Sequence, residues 1–516
     1  MIPKPVQAST YTFRDIIEGG FLYVDKTRYI YELIRYSKGV YFLSRPRRFG
    51  KSLMISTLEE IFQGNKALFQ GLWLYASDYN WQTYPIIRMD FSRLQVNTAA
   101  ELKVGIERYL GQIAQQYNVT LGAGPYYAQL EDLILALAKE KKVVILIDEY
   151  DKPLIDALPN LNEALQIRDI LKGFYTLLKA MDQYIRFVFI TGISKVDLFS
   201  AMNNLDDLSM DRRFAAALGI TETELRRDFQ EHIDAFAQRL GISQTALLQQ
   251  IREWYNGFYF AHAGESVYNP YSTLQLFNKQ AFASYWFESG TPTFLIKLVK
   301  EQGYDVQRLD QLQLSELSFS SYDLEKLDVL PLLFQNGYLT IKGYNLERQL
   351  YQLGYPNQEV ENAFLVYLLA GFSAVPRGLS ESYLWQLLDA LKAHKFDDFF
   401  MVLNVFFANI DYDLHLDYEK YYQTIFYLIF LLLGVHVTAE VKTNQGRIDA
   451  VIELPQQIYL FEFKLSGSAA TALKQIKENE YHQKYQLRGK PLTLIGARFD
   501  RKKRKVSEWK SALKQP

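Results

Sequence analysis

Val40-Tyr41-Phe42-Leu43-Ser44-Arg45-Pro46-Arg47-Arg48-Phe49-Gly50-Lys51-Ser52-Leu53 is the stretch that decides the fold of the N-terminal half, because a short apolar strand passes through a basic loop into a helix. In that setting the loop and the first helical turn present backbone N–H groups, and the helix N-terminus favours negative charge. Arg48, Phe49, Gly50 and Leu53 can contribute loop and first-turn amides to a nucleotide. Lys51 can reach its β and γ oxygens, and the Ser52 hydroxyl can hold Mg²⁺. The usual spacing G-x-x-x-x-G-K-[ST] would place a glycine where Arg45 stands. Alone, Gly50-Lys51-Ser52 is a weak signal, since such a lysine is more often a surface residue.

Working outward, a second element supports the first. Lys141-Lys142 precedes five apolar residues, Val143 to Ile147, and then Asp148-Glu149. The acids therefore leave a buried strand at its carboxyl end, where ligands bind in open α/β sheets. Asp148 is the expected Mg²⁺ ligand and Glu149 the expected base for the attacking water. A further strand, Arg186–Thr191, ends where the Thr191 hydroxyl could sense a γ-phosphate. Arg212 and Arg213 are a weaker candidate for a charge-neutralising arginine offered to a neighbouring copy, so a homo-oligomer stays open as a partner.

The first 200 residues alternate strand-length apolar runs with helical patterns. Strands are predicted at Val40–Leu43, Pro85–Asp90, Val143–Ile147 and Arg186–Thr191, with helices at Ser52–Phe62, Ala99–Gln116, Tyr126–Lys139 and Glu163–Met181. This rhythm predicts a parallel sheet with helices on both faces. From Thr221 the pattern becomes helical: Thr221 with Glu224 forms a capping box and Ser243 caps the next helix. The predicted domains are 1–220 for the nucleotide-binding sheet, 221–380 for a mainly helical lid or adaptor, and 381–516 for a C-terminal α/β domain.

The last domain carries the second constellation. A helix over Tyr418–Leu433 leads into strands at His436–Val441, Arg447–Glu453 and Ile458–Lys464, then a helix over Ala469–Tyr485 and a strand at Leu492–Ala497. Side chains alternate along a strand, so Glu462 and Lys464 share one face while Phe461 and Phe463 pack on the other. Asp449 on the preceding strand and Glu462 can meet one metal, and Lys464 can position water and offset charge on a scissile phosphate. Glu419 is a candidate fourth acid and metal ligand, while Gln475 and Tyr481 are candidates to orient ligands. His482, Arg488 and the run Arg501–Lys505 are candidate phosphate-backbone contacts, although such a run is more often a solvated tail.

Composition bounds these readings. The chain has 516 residues, enough for two to four domains of ~100–200 residues each. With 57 Lys and Arg against 58 Asp and Glu the formal charge is −1, so a nucleic-acid surface has to be a local patch. There is no cysteine, which excludes disulfides, thiolate zinc sites and cysteine nucleophiles, and six scattered histidines show no ligand spacing. The N-terminus lacks a secretory pattern, and the longest apolar run, Ile425–Leu433, falls short of the ~20 residues that span a bilayer. A cytoplasmic protein without a membrane partner is expected, that run being a buried helix.

FLSRPRRFGKSL, ILIDEYDKPL, FITGISKV, WYNGFYF with VYNPYS, and GRIDAVI with FEFKL together resemble the bacterial and archaeal family joining an AAA-ATPase-like domain to a C-terminal PD-(D/E)XK nuclease-superfamily domain. The resemblance implies a P-loop (ASCE-type) parallel sheet, a helical middle region and a restriction-endonuclease-like α/β domain. It implies ATP and Mg²⁺ at Lys51, Ser52, Asp148 and Glu149, and a nuclease centre at Asp449, Glu462 and Lys464. Nucleic acid, DNA first, is the implied partner, with defence or mobile elements as the suggested setting. The alternative is a signalling or scaffold ATPase whose C-terminal domain only binds nucleic acid or protein.

Overall fold

The computed structural model describes residues 3–514 apart from 95, 197, 199–201, 203, 290–292, 305, 307–308, 310–311, 409–417, 437, 445–446, 465–466, 479–484, 486–488 and 501. The side chains of 288–289, 293, 418–420, 422–423, 435–436, 438–444 and 447–449 also lie outside the description. The chain folds into two compact units, one of Met1–Glu288 with Asp310–Glu359, the other of Ser289–Leu309 with Val360–Pro516.

The first unit is built on β1 (Gly39–Ser44), β2 (Ile86–Asp90), β3 (Val143–Asp148), β4 (Ile185–Gly192) and β5 (Asp206–Asp207), all parallel and ordered β2-β3-β4-β1-β5. Every residue of β3 and β4 is buried, as expected when both faces of a parallel sheet are covered by helices. Ile55, Leu58 and Phe62 of the helix Lys51–Phe62 pack with Val144, Leu146, Phe187 and Phe189 on one face. The helices Ala99–Gln116, Tyr126–Leu137 and Leu161–Ala180 complete the layers.

Beyond Thr221 the same unit continues through the helices Glu222–Asp228, Gln230–Leu240, Gln244–Tyr255 and Pro270–Lys279, which bury Leu225, Phe236, Ile251 and Leu276 in a core of their own. The Thr221/Glu224 capping box forms, and the Ser243 hydroxyl accepts from the Ala246 N–H. The middle also contains a three-stranded antiparallel sheet, β6 (Gln313–Leu314), β7 (Thr340–Asn345) and β8 (Leu350–Gly354), ordered β6-β8-β7.

In the second unit the helices Arg377–Lys392, Phe396–Ala408 and Tyr418–His436 accompany a mixed sheet of β9 (Thr438–Asn444), β10 (Arg447–Glu453), β11 (Ile458–Lys464), β12 (Leu492–Asp500) and β13 (Lys505–Lys514). Its order is β13-β12-β11-β10-β9, with only the β11/β12 pair parallel. A parallel pair needs a crossover, and the helix Ala469–Glu478 lies in that connection. The final strand β13 was not expected from the sequence. It is a largely exposed edge, so KVSEWKSALK lacks an apolar alternation, and Lys502, Lys503 and Arg504 form a turn before it rather than a free tail. Lys502 and Lys503 donate their N–H groups to the Asp500 carboxylate there. The apolar run Ile425–Leu433 is a buried helix segment, and among the described residues no single helix is long and apolar enough to cross a membrane.

Candidate functional site

The loop after β1 turns into its helix through Gly50, whose φ of 92° is left-handed and therefore suits glycine. The first-turn amides that follow have no intrahelical acceptor, which leaves them for an anion. Lys51 is buried, and its Nζ donates to the carbonyls of Arg45 and Pro46 at 3.0 Å each. Burial pushes its ammonium below the usual lysine range, while the charges of Glu149, Asp148 and Asp151 oppose that shift. A cation held against loop carbonyls and faced by acids can exchange those carbonyls for phosphate oxygens.

Asp148 ends β3 and is 2% exposed. Burial raises its carboxyl, and a hydrogen bond from Ser52 is the largest opposing effect, so the hydroxyl and the carboxylate predicted to share a cation are neighbours. Glu149 follows at φ 48°, a left-handed conformation a non-glycine residue adopts only when its surroundings enforce it. Its N–H donates to Asp148 Oδ1 at 3.0 Å, and burial raises its carboxyl too. The donor set of amides, one ammonium, one hydroxyl and two carboxylates fits a nucleotide phosphate with its divalent cation.

The side chains of three predicted residues, Thr191, Arg48 and Phe49, are engaged within the fold. The Thr191 hydroxyl is fully buried and donates to the Leu43 carbonyl at 2.9 Å, because the β1/β4 register sets Leu43 opposite Thr191. Arg48 donates to the Tyr285 carbonyl at 2.8 Å and lies 3.7 Å over the Tyr271 ring. Phe49 is core, packed edge-on against Phe258 and Phe260. Of the two arginines considered for a neighbouring copy, Arg213 pairs with Asp211 in its own turn.

Arg45 explains the missing glycine. Its guanidinium is 1% exposed and donates to the carbonyls of Ser44, Ser209 and Phe214 at 2.8–3.0 Å, 4.1 Å over the Phe260 ring. Burial pushes it down to about 9. The position thus holds a structural anchor, and its φ is not left-handed.

In the second unit, β10 and β11 are antiparallel with Asp449 directly opposite Glu462 and Arg447 opposite Lys464. Directly opposed positions of such a pair belong to one face. Phe461 and Phe463 pack against Phe399, Phe426 and Phe430 of the flanking helices, as the alternation required. Glu462, 1% exposed, lies 3.9 Å from Lys464 Nζ, and Lys464 also donates to Gln475 Oε1. Gln475 is carried by the helix Ala469–Glu478, which approaches the sheet at Gly496, the β12 partner of Glu462. A Cβ there would come within 2.4 Å of the Leu473 nitrogen and 2.5 Å of the Ala469 oxygen. Glu419 stands in the first turns of the helix Tyr418–His436, but its side chain and that of Asp449 are outside the description, as are Tyr481, His482, Arg488 and Arg501.

A predicted AAA-ATPase family matches residues 7–201, and the PD-(D/E)XK nuclease superfamily matches residues 417–509. A protein of Azotobacter chroococcum mcd 1, named "Uncharacterized protein in vnfD 5'region", is 37% identical over 522 residues, covering 98% of each chain. The chain belongs to this AAA-ATPase-like and PD-(D/E)XK fusion family. Two acids of the fusion's first unit escaped the sequence reading. Asp90 ends β2 beside Asp148 in register, and its charge also raises the Asp148 carboxyl. Asp151, 1% exposed, accepts from the Ile193 and Ser194 N–H groups and from Ser194 Oγ, fixing the turn beyond β4. The signal for Asp90 was available, since it too closes an apolar strand. The motif WYNGFYF supplies Phe258 and Phe260 under the loop. Gly257 within it, at φ 96°, lies so close to Pro356 that a Cβ would meet the Pro356 oxygen at 2.1 Å. Beside Gly50, Leu53 and Thr57 lies a mainly apolar cavity of ≈ 110 Å³, walled also by Val24, Ile220 and Leu274.

Proposed function

We propose that the first unit binds and hydrolyses ATP with Mg²⁺, and that the second cleaves phosphodiester bonds in nucleic acid, DNA first. What supports the first half is Ser52 beside Asp148 with Lys51 at the same strand tips. Lys51 would hold the β and γ oxygens, Ser52 and Asp148 would hold Mg²⁺, and Glu149 would accept the proton of the attacking water. Mg²⁺, when bound, supplies charge that offsets the phosphate oxygens.

The observation carrying the second half is the register of Asp449 against Glu462 with Lys464 two residues along the same strand. Asp449 and Glu462 would hold the cation at the scissile phosphate, and Lys464, oriented by Gln475, would position the attacking water. Nucleotide binding would regulate the second activity through the middle segment, because Arg48 and Arg47 bond to Tyr285 and Trp286.

Cleavage of plasmid and single-stranded DNA with Mg²⁺ tests the assignment. Asp449→Ala and Lys464→Ala are each expected to lose at least about 100-fold in rate, the order expected for a group stabilising a transition state. Unchanged cleavage in both variants would remove the phosphodiesterase assignment and leave a binding-only domain.

A further inference from the structure

At the opposite end of the first sheet from the nucleotide loop, the segments entering β1, β2, β3 and β4 surround a cleft of ≈ 620 Å³. Lys38 precedes β1, Tyr84 precedes β2, Lys141 and Lys142 precede β3, and Arg186 is the second residue of β4. Five cations, Arg35, Lys38, Lys141, Lys142 and Arg186, line the cleft against one acid, Asp78, which is engaged by the Tyr31 hydroxyl at 2.5 Å. Lys38 is paired at the rim with Asp182, Arg35 with Glu32 at 2.9 Å and Lys141 with Thr83, whereas Lys142 is exposed.

The floor is the second observation. Arg186 is 8% exposed and donates through Nη2 to the Ile34 carbonyl at 2.8 Å. Its guanidinium lies 5.7 Å over the Tyr84 ring and 6.0 Å over Phe62, its Nη1 has no hydrogen-bond partner, and no acid among the described residues lies within ion-pair distance. Buried charges are ordinarily paired, so an uncompensated guanidinium under a basic cleft leaves a place for an anion. Aromatic surface adjoins it: Tyr36 is 57% exposed with the Arg35 guanidinium 4.7 Å over its ring, a platform on which a base can stack beside a phosphate.

We infer that this cleft is a second phosphate-ester site, separate from the nucleotide loop, and that it takes the backbone of a single-stranded nucleic acid with a base stacked at Tyr36. A free nucleotide or inorganic phosphate presents the same anion, and the test separates these sources.

The full-length protein is titrated in EDTA with a fluorescent oligothymidine, an oligothymidine carrying photoreactive thymidines is cross-linked to it, and inorganic phosphate and AMP serve as competitors. The oligomer is expected to cross-link to the peptide containing Tyr36. Lys142→Glu is expected to weaken binding at least 5-fold and to lower the slope of log affinity against log salt by about 1, with ATP turnover unchanged. Arg186→Gln is expected to act in the same direction, and Lys142→Glu keeps the test open where that variant does not fold. Unaltered affinity and salt slope in Lys142→Glu, absence of the Tyr36 cross-link, or binding of phosphate or AMP without the oligomer would each overturn the inference. DNA cleavage by wild type and Lys464→Ala, measured separately with Mg²⁺, reports on the second unit whatever this result.

Discussion

The two units bring their acids together in different ways. In the first, Asp90 and Asp148 close neighbouring parallel strands, and the loop that answers them leaves β1, which β4 separates from β3. In the second, Asp449 and Glu462 stand within neighbouring antiparallel strands, already opposed by the ladder. A site at parallel strand tips owes its geometry to whatever pins its loops, here Arg45 beneath the loop, Arg48 beside it and Asp151 across from it. A site within an antiparallel ladder owes its geometry to register, which cannot slip by one residue without exchanging the faces of the sheet.

The largest way to break the comparison is Arg45→Gly, which restores the usual motif glycine. It removes three hydrogen bonds, one of them fully buried, and the stack on Phe260, so a loss on the order of 3 kcal/mol is expected by denaturant titration. ATP turnover should fall and DNA cleavage without ATP should persist; a stability equal to wild type would mean that the loop is pinned elsewhere.

A similar effect, sharpened by pH, belongs to Glu359. Its Oε1 accepts from the Trp286 N–H and Ser272 Oγ, and burial raises it to about 7 from the usual carboxylate range. The folded state therefore binds the proton more tightly than the unfolded chain. The stabilisation is full below about 4.5 and is lost as pH rises through about 7, amounting to roughly 3 kcal/mol. Glu359→Gln should flatten stability against pH across that window; an unchanged slope would refute the assignment. The smallest effect is Gly496→Ala, which crowds the helix carrying Gln475 and should cost about 1–3 kcal/mol. It should slow DNA cleavage and leave ATP turnover untouched.

Both constellations were legible because each sits on a pattern that dictates its backbone. Five apolar residues before Asp148 mark a strand buried on both faces, and Phe461/Phe463 alternating with Glu462/Lys464 marks a strand with one apolar face. Thr191 looked equally well placed, but its hydroxyl depends on the β1/β4 register, which no local pattern encodes. Arg45 read as a defect because the three carbonyls it binds come partly from residues 209 and 214, far along the chain. The edge strand β13 carries too few apolar residues to announce itself. Likewise, the inclusion of residues 289–309 in the second unit depends on tertiary contacts alone.

The most direct measurement is a crossed assay of phosphate release and DNA cleavage, run with Mg²⁺, with and without ATP, on wild type, Glu149→Gln and Lys464→Ala. Two chemically separate phosphate sites predict that Lys464→Ala hydrolyses ATP at the wild-type rate while losing cleavage, and that Glu149→Gln loses phosphate release by about 100-fold or more while cleavage persists in the absence of ATP. Loss of both activities in either variant, or of neither, would contradict the account.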